Sequence, residues 1–227
     1  ALATAFAVAA TISSANAAVT INGDGSVTLA GSGGSFTLNF DGFGGNTPSV
    51  IAGLTSAIDF TFVNITNSGK TFNLNYTIRN TSSAPITASR VSGFGFDTSP
   101  NISSATSTGV FNTVGVGNVP NFGNVEVCFK AGGGSNNCAG GGGSGVTLGG
   151  SSSGTIALRF SNAPSNGTIT LSNFVDRYQS IEGAGRVTSA IGRPVAPVPE
   201  PAAWALMLAG FGVVGTAMRR RAKVAFA

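Results

Sequence analysis

Histidine is absent from this 227-residue chain, and charge is scarce: Asp, Glu, Lys and Arg together make up 9%. Without imidazole, no side chain has an ordinary pKa near neutrality, so a Ser–His or Cys–His nucleophile pair is excluded. Zinc sites that use histidine are excluded for the same reason. The two cysteines, Cys128 and Cys138, do not complete a thiolate shell by themselves. The one tryptophan, Trp204, stands near the C-terminal end and leaves the central region with none. No segment carries the period of an amphipathic helix over three turns.

The little charge present is unevenly placed. The formal net charge is +4, yet Ala18 to Val198 holds eight Lys or Arg against seven Asp or Glu, a net of +1. The excess sits in Arg219, Arg220, Arg221 and Lys223. The central region therefore has no electrostatic footprint for nucleic acid.

What the centre does have is alternation. Phe36–Phe40, Ile58–Phe62, Phe72–Ile78, Val91–Phe96, Val125–Phe129, Ile156–Phe160 and Ile169–Leu171 each place apolar residues at every second position. A period of two with one apolar face predicts half-buried strands. Clusters such as Asn67-Ser68-Gly69-Lys70 separate them as turns, the first joining a hairpin across Thr55–Asn80. The spacing predicts an all-β domain over residues 18–192, an antiparallel sandwich with a jelly-roll-like barrel as the alternative. The chain has sixteen phenylalanines, most of them in these strands, and they can fill the core.

Candidate chemistry is sparse. Cys128 and Cys138 flank a glycine-rich loop, and in an exported chain a disulfide between them is the expected state. Closing a loop of that size restricts the unfolded chain by roughly 2.5–3 kcal/mol. Gly140–Gly145 lacks the helix and Lys-Ser/Thr pair of a phosphate loop and reads as a connection outside the sheet. Asp41, Asp59, Asp97, Asp176 and Glu182 could supply the carboxylate pair of a glycosidase, but each stands alone beside turn residues or on an alternating strand. Asp176-Arg177-Tyr178 is the densest polar group, and an internal Arg–Asp pair packed by the tyrosine is its expected role. No metal ligand set, cofactor or catalytic residue is read from this pattern, and the chain is expected not to be an enzyme.

The ends speak of trafficking. Residues 1–17 are small and apolar, with Ala15 and Ala17 in the A-x-A spacing of a signal-peptidase site, so they are expected to be the remnant of a signal peptide. A Pro-rich linker, 193–198, follows the domain. Pro199-Glu200-Pro201 then precedes an uncharged run from Ala202 to Met218, with Trp204 near one end. Seventeen residues of helix span roughly 26 Å, enough for a thin bilayer core. Arg219, Arg220, Arg221 and Lys223 form a basic stop that stays cytoplasmic, leaving the globular part on the other side.

This tail, residues 199–223, closely resembles the PEP-CTERM sorting signal of exported Gram-negative proteins, through Pro199, Glu200, Pro201, Trp204, Met207, Gly210, Phe211, Gly212, Gly215 and the arginine cluster. The same region is also labelled an ice-binding-protein C-terminal motif, which describes the tail and not ice binding. The resemblance implies processing by an exosortase-type membrane protease. It also implies an inner-membrane intermediate with the domain in the periplasm, then a place at the cell surface or outside, often beside exopolysaccharide.

A second likeness is to the cistern family of PEP-CTERM proteins. It is carried by Ala88–Phe96, Val125–Lys130, Cys138–Gly143 and Leu171–Ile181. That family implies architecture and fate without an assigned activity. The expectation is thus an exported, non-enzymatic surface or matrix protein whose partners are signal peptidase, the exosortase and, transiently, the inner membrane. The alternative is a carbohydrate-binding or adhesive module on exopolysaccharide, with Tyr76, Tyr178 and phenylalanines as stacking platforms.

Overall fold

A computed structural model describes residues 19–45, 49–133, 137–139 and 143–195. They form β1 (Val19–Ile21), β2 (Val27–Ala30), β3 (Ser35–Phe43), β4 (Val50–Thr66), β5 (Thr71–Asn80), β6 (Ala88–Ser99) and β7 (Ser104–Ser107). The series continues with β8 (Thr113–Val119), β9 (Gly123–Lys130), β10 (Val146–Thr147), β11 (Ser151–Arg159), β12 (Thr168–Glu182) and β13 (Ser189–Pro194). All these strands belong to one unit, which ends at Val195.

Every pairing is antiparallel, and the hydrogen-bonded order is β7-β11-β5-β4-β3-β13-β12-β6-β9-β8. Strand β2 adds to β12, β1 to β2, and β10 to β6. The two ends of the order, β7 and β8, approach each other, and the sheet nearly closes into a barrel.

Six of the seven alternating segments fall within strands, Ile156–Phe160 runs one residue past β11, and the hairpin turn is where the sequence puts it. Asn67 and Ser68 are left-handed (φ 52° and 53°), followed by Gly69 (φ 86°), a run that suits Asn and Gly in a tight hairpin. The two-sheet sandwich does not form. Strand β4 runs for 17 residues and β12 for 15, and both carry bulges where the register shifts. Bulges bend a strand without breaking it, so one continuous sheet curls around its own core. This is closer to the barrel-like alternative. Strand β13 also reaches Pro194, and the Val195 amide donates to the Asn39 carbonyl at 2.8 Å. The sheet thus continues past residue 192 into the stretch read as linker.

Among the described residues, eleven phenylalanines are buried, with Tyr76 and Tyr178. Phe60 lies at the centre: it stacks on Phe36 at 5.0 Å between centroids and meets Phe94 and Phe96 edge-on at 6.0 and 6.5 Å. Burial of each such ring is worth roughly 1.5–3 kcal/mol, and a well-placed ring pair adds about 0.5–1.5 kcal/mol.

One part of the barrel wall departs from half-burial. Val91–Phe96 of β6, Val127–Lys130 of β9 and Phe174–Tyr178 of β12 are buried on both faces. A second apolar cluster covers their outer side: Val119, Val125, Cys128, Cys138, Val175 and Ile191, with Phe43 and Phe122 against it. The loop after β9, pinned by the disulfide, and the β8–β9 turn supply that cover. Period-two reading assumes one wet face, which this patch lacks.

Candidate functional site

Cys128 and Cys138 are bonded to each other, with Cα atoms 5.7 Å apart. The bond folds the loop after β9 back over the outer face of β6 and β12. Gln179 Nε2, on β12, donates to the Ala139 carbonyl at 3.3 Å and holds the loop down.

Beneath the loop lies a small pocket lined by Gly93, Val119, Cys128, Lys130, Cys138 and Arg177, among others. Its floor follows from register. On β6, Gly93 pairs with Lys130 of β9 on one side and Arg177 of β12 on the other, and Gly95 pairs with Cys128 and Val175. Over Gly95 the space is taken by Cys128 and Val125, so the pocket lies over Gly93. A Cβ on Gly93 would meet the Phe129 carbonyl at 3.0 Å and Lys130 Cβ at 3.3 Å.

Arg177 is only 8% exposed and makes no ion pair with a described residue. Its one hydrogen bond runs from Nη1 to the Pro120 carbonyl at 3.2 Å, and its buried Nε has no partner. Desolvation lowers its pKa. The expected Arg–Asp pair is therefore absent. Successive residues of a strand point to opposite faces, so Arg177 faces the outer pocket and Asp176 the inside of the barrel.

Asp176 is completely buried. Its Oδ2 accepts a hydrogen bond from Ser56 Oγ on β4, and its Oδ1 lies over Gly192, where a Cβ would fill the same space. Burial pushes the carboxyl up to about 7, and the Ser56 hydrogen bond and the nearby Tyr178 hydroxyl and Gly192 backbone act against it. The Tyr178 hydroxyl has no hydrogen bond of good geometry but lies within electrostatic reach of Asp176, and burial pushes its pKa well up. This polar island is sealed from solvent.

Asp59, Asp97 and Glu126 serve the scaffold. Asp59 pairs with Arg79, which holds its carboxyl low, and accepts from Thr37 Oγ1 at 2.8 Å; both members are about two-fifths exposed or less. Asp97 accepts from the Glu126 amide at 2.7 Å and from Asn173 Nδ2 at 2.9 Å. Glu126, which sequence reasoning passed over, accepts from the Thr98 amide and hydroxyl at 2.7 and 2.8 Å and from the Ile102 amide at 2.6 Å. It fastens the turn between β6 and β7. Nothing in its local sequence marks this, because the donors lie on β6 and in the turn that follows it.

Tyr76 and Tyr178 are 1% and 0% exposed, so neither is a stacking platform. Gly150-Ser151-Ser152-Ser153-Gly154 spells the Gly-x-Ser-x-Gly pattern, but it opens β11 and no helix follows, so it forms no nucleophile elbow. No described helix is long and apolar enough to cross a membrane. The sorting residues Pro199, Glu200, Pro201 and Trp204, the span Ala202–Met218, the basic stop Arg219–Arg221 with Lys223, and Ala15 and Ala17 all lie outside the described residues.

The described part is thus an all-β, disulfide-bonded, nearly closed antiparallel barrel. Residues 197–221 match the family model described as the PEP-CTERM protein-sorting motif. That motif implies export to the cell envelope or surface and processing by an exosortase-type partner. Comparison with curated proteins and with solved structures gave no match.

Proposed function

We propose that this is a non-enzymatic protein of the cell surface or extracellular matrix, held at the inner membrane by residues 202–218 until an exosortase-type protease cuts near Pro199–Pro201. The observation that carries the reading is the sorting motif at residues 197–221 beside a domain in which Asp59, Asp97, Glu126 and Asp176 are engaged in its own scaffold. The basic stop sets the topology, and signal peptidase trims the other end after Ala17. On its cysteine loop and the Leu171–Ile181 stretch, we place the domain with the cistern family. The deciding experiment is intact-mass measurement of protein recovered from the cell exterior. Loss of Arg219–Lys223 is the expected result. Exterior protein that keeps its whole tail, or a tail-deleted chain that reaches the same location, defeats the reading.

An adhesive or carbohydrate-binding role is the second reading. Its support is a rank of exposed and half-exposed polar side chains across the outer wall. Thr37, Asp59, Thr77 and Ser153 stand side by side on β3, β4, β5 and β11. Such a rank would engage sugar hydroxyls without aromatic stacking. Flat responses on an array of neutral and acidic glycans would remove it.

A further inference from the structure

The outer pocket holds a chemical imbalance. A guanidinium taken out of water is normally paired, because desolvating its charge is costly. Arg177 has one neutral carbonyl as its partner, and its Nε is unmatched. Lys130, 3% exposed, stands across Gly93 from it. Of the five buried side-chain atoms without a partner among the described residues, three belong to Arg90, Arg177 and Gln179, along the same stretch of β6 and β12. Among the described residues, no Asp or Glu lines the pocket apart from Asp176, whose side chain faces the barrel interior.

We propose that the pocket over Gly93, between Lys130 and Arg177, is a binding site for a single oxyanion group, a carboxylate or a sulfate. The guanidinium fork offers planar N–H donors, the geometry that carboxylate and sulfate oxygens accept. Gly93, which lines the pocket without a side chain, is where that group meets the sheet. At its depth the pocket has room for about one water-sized atom group, so one oxygen of the anion enters, the rest lies at the open mouth, and no sugar ring fits. The ligand is therefore either a free small anion or the pendant acid group of a larger chain lying outside. Cys128 and Cys138 both line the pocket, so the site is complete only in the oxidised protein. The proposal does not rest on how the tail is sorted.

The test is a titration of the full oxidised protein with sodium sulfate, galacturonate and polygalacturonate, ionic strength being held constant with sodium chloride. The readouts are the amide resonances of Gly93 and Gly95 and the thermal midpoint. Saturable shifts at both glycines and a midpoint raised above that in chloride are expected, with Arg177→Gln weakening affinity at least tenfold and Arg159→Gln leaving it unchanged. Reduction of the disulfide should abolish the shifts in wild-type protein, which keeps the test decisive should Arg177→Gln fail to fold. Tighter binding of polygalacturonate than of galacturonate assigns an acidic polymer as the source. Binding of sulfate and galacturonate without the polymer assigns a free anion. Absence of saturable shifts with every probe overturns the site, as does unchanged affinity in a folded Arg177→Gln protein.

Discussion

Ser56 and Asp176 lie 120 positions apart in the chain and share a hydrogen bond inside the apolar core of the barrel. Strand β3 joins their neighbourhoods: Phe40 pairs with Ser56 on one side, and Gly42 pairs with Gly192 on the other. Gly192 in turn pairs with Asp176. A side chain on Gly192 would occupy the space of the Asp176 carboxyl, so that glycine makes room for the acid.

This buried acid sets a pH dependence. Its folded pKa is raised from 3.8 to about 7, so the native protein keeps a proton that the unfolded chain releases across that window. Stability contributed by Asp176 is therefore present below about pH 4, falls as pH rises to about 7, and stays low above it. Asp176→Asn cannot lose this proton. Its stability relative to wild type should rise between pH 4 and pH 8 by up to about 4 kcal/mol. Urea unfolding of both proteins at the two pH values measures this, and a constant difference contradicts it.

Cutting the disulfide should cost stability through the unfolded state. The double variant Cys128→Ser, Cys138→Ser should lose about 2–3 kcal/mol and roughly 5–10 °C of melting temperature. Calorimetry of the two proteins checks the figure. A loss that also appears when wild type is compared with its own reduced form would assign it to the crosslink.

Glu126 receives three hydrogen bonds from the segment Thr98–Ile102, two of them from backbone amides. Glu126→Ala leaves those donors without their acceptor and should destabilise by about 2–3 kcal/mol. Amide exchange should quicken at Thr98 and Ile102 first. Uniform exchange across the barrel would show that the carboxylate does not fasten this turn.

Gly154 lies directly against Tyr76 and the Thr108 carbonyl, leaving no room for a Cβ. The Tyr76 hydroxyl donates to that same carbonyl at 2.7 Å. Gly154→Ala must push β11 or the ring aside, at a cost of about 1–3 kcal/mol. Pairing it with Tyr76→Phe, which removes the hydroxyl, should recover part of the loss. Strict additivity in the double variant would show that the two residues do not meet.

The strands that can be read from the sequence are those with one wet face. Phe36–Phe40 and Phe72–Ile78 alternate because β3 and β5 turn polar side chains to solvent. Strands β8 and β13 escape that reading: β8 has glycine at positions 115 and 117, and β13 is short and carries both Gly192 and Pro194. The pocket escapes it too. Lys130 and Arg177 lie far apart in the chain, and only their shared pairing with Gly93 sets them opposite each other.

The sequence alone determined the β class, the cysteine pair and the sorting motif, because each is local: a period of two, a ten-residue separation, a contiguous tail. The tertiary structure decided that one sheet curls where two were expected, that Asp176 and Arg177 part company across β12, and that a cationic groove forms under the disulfide loop. These depend on register and bulges in strands distant along the chain. A one-residue shift in pairing reverses which face a side chain takes, and no local pattern encodes it.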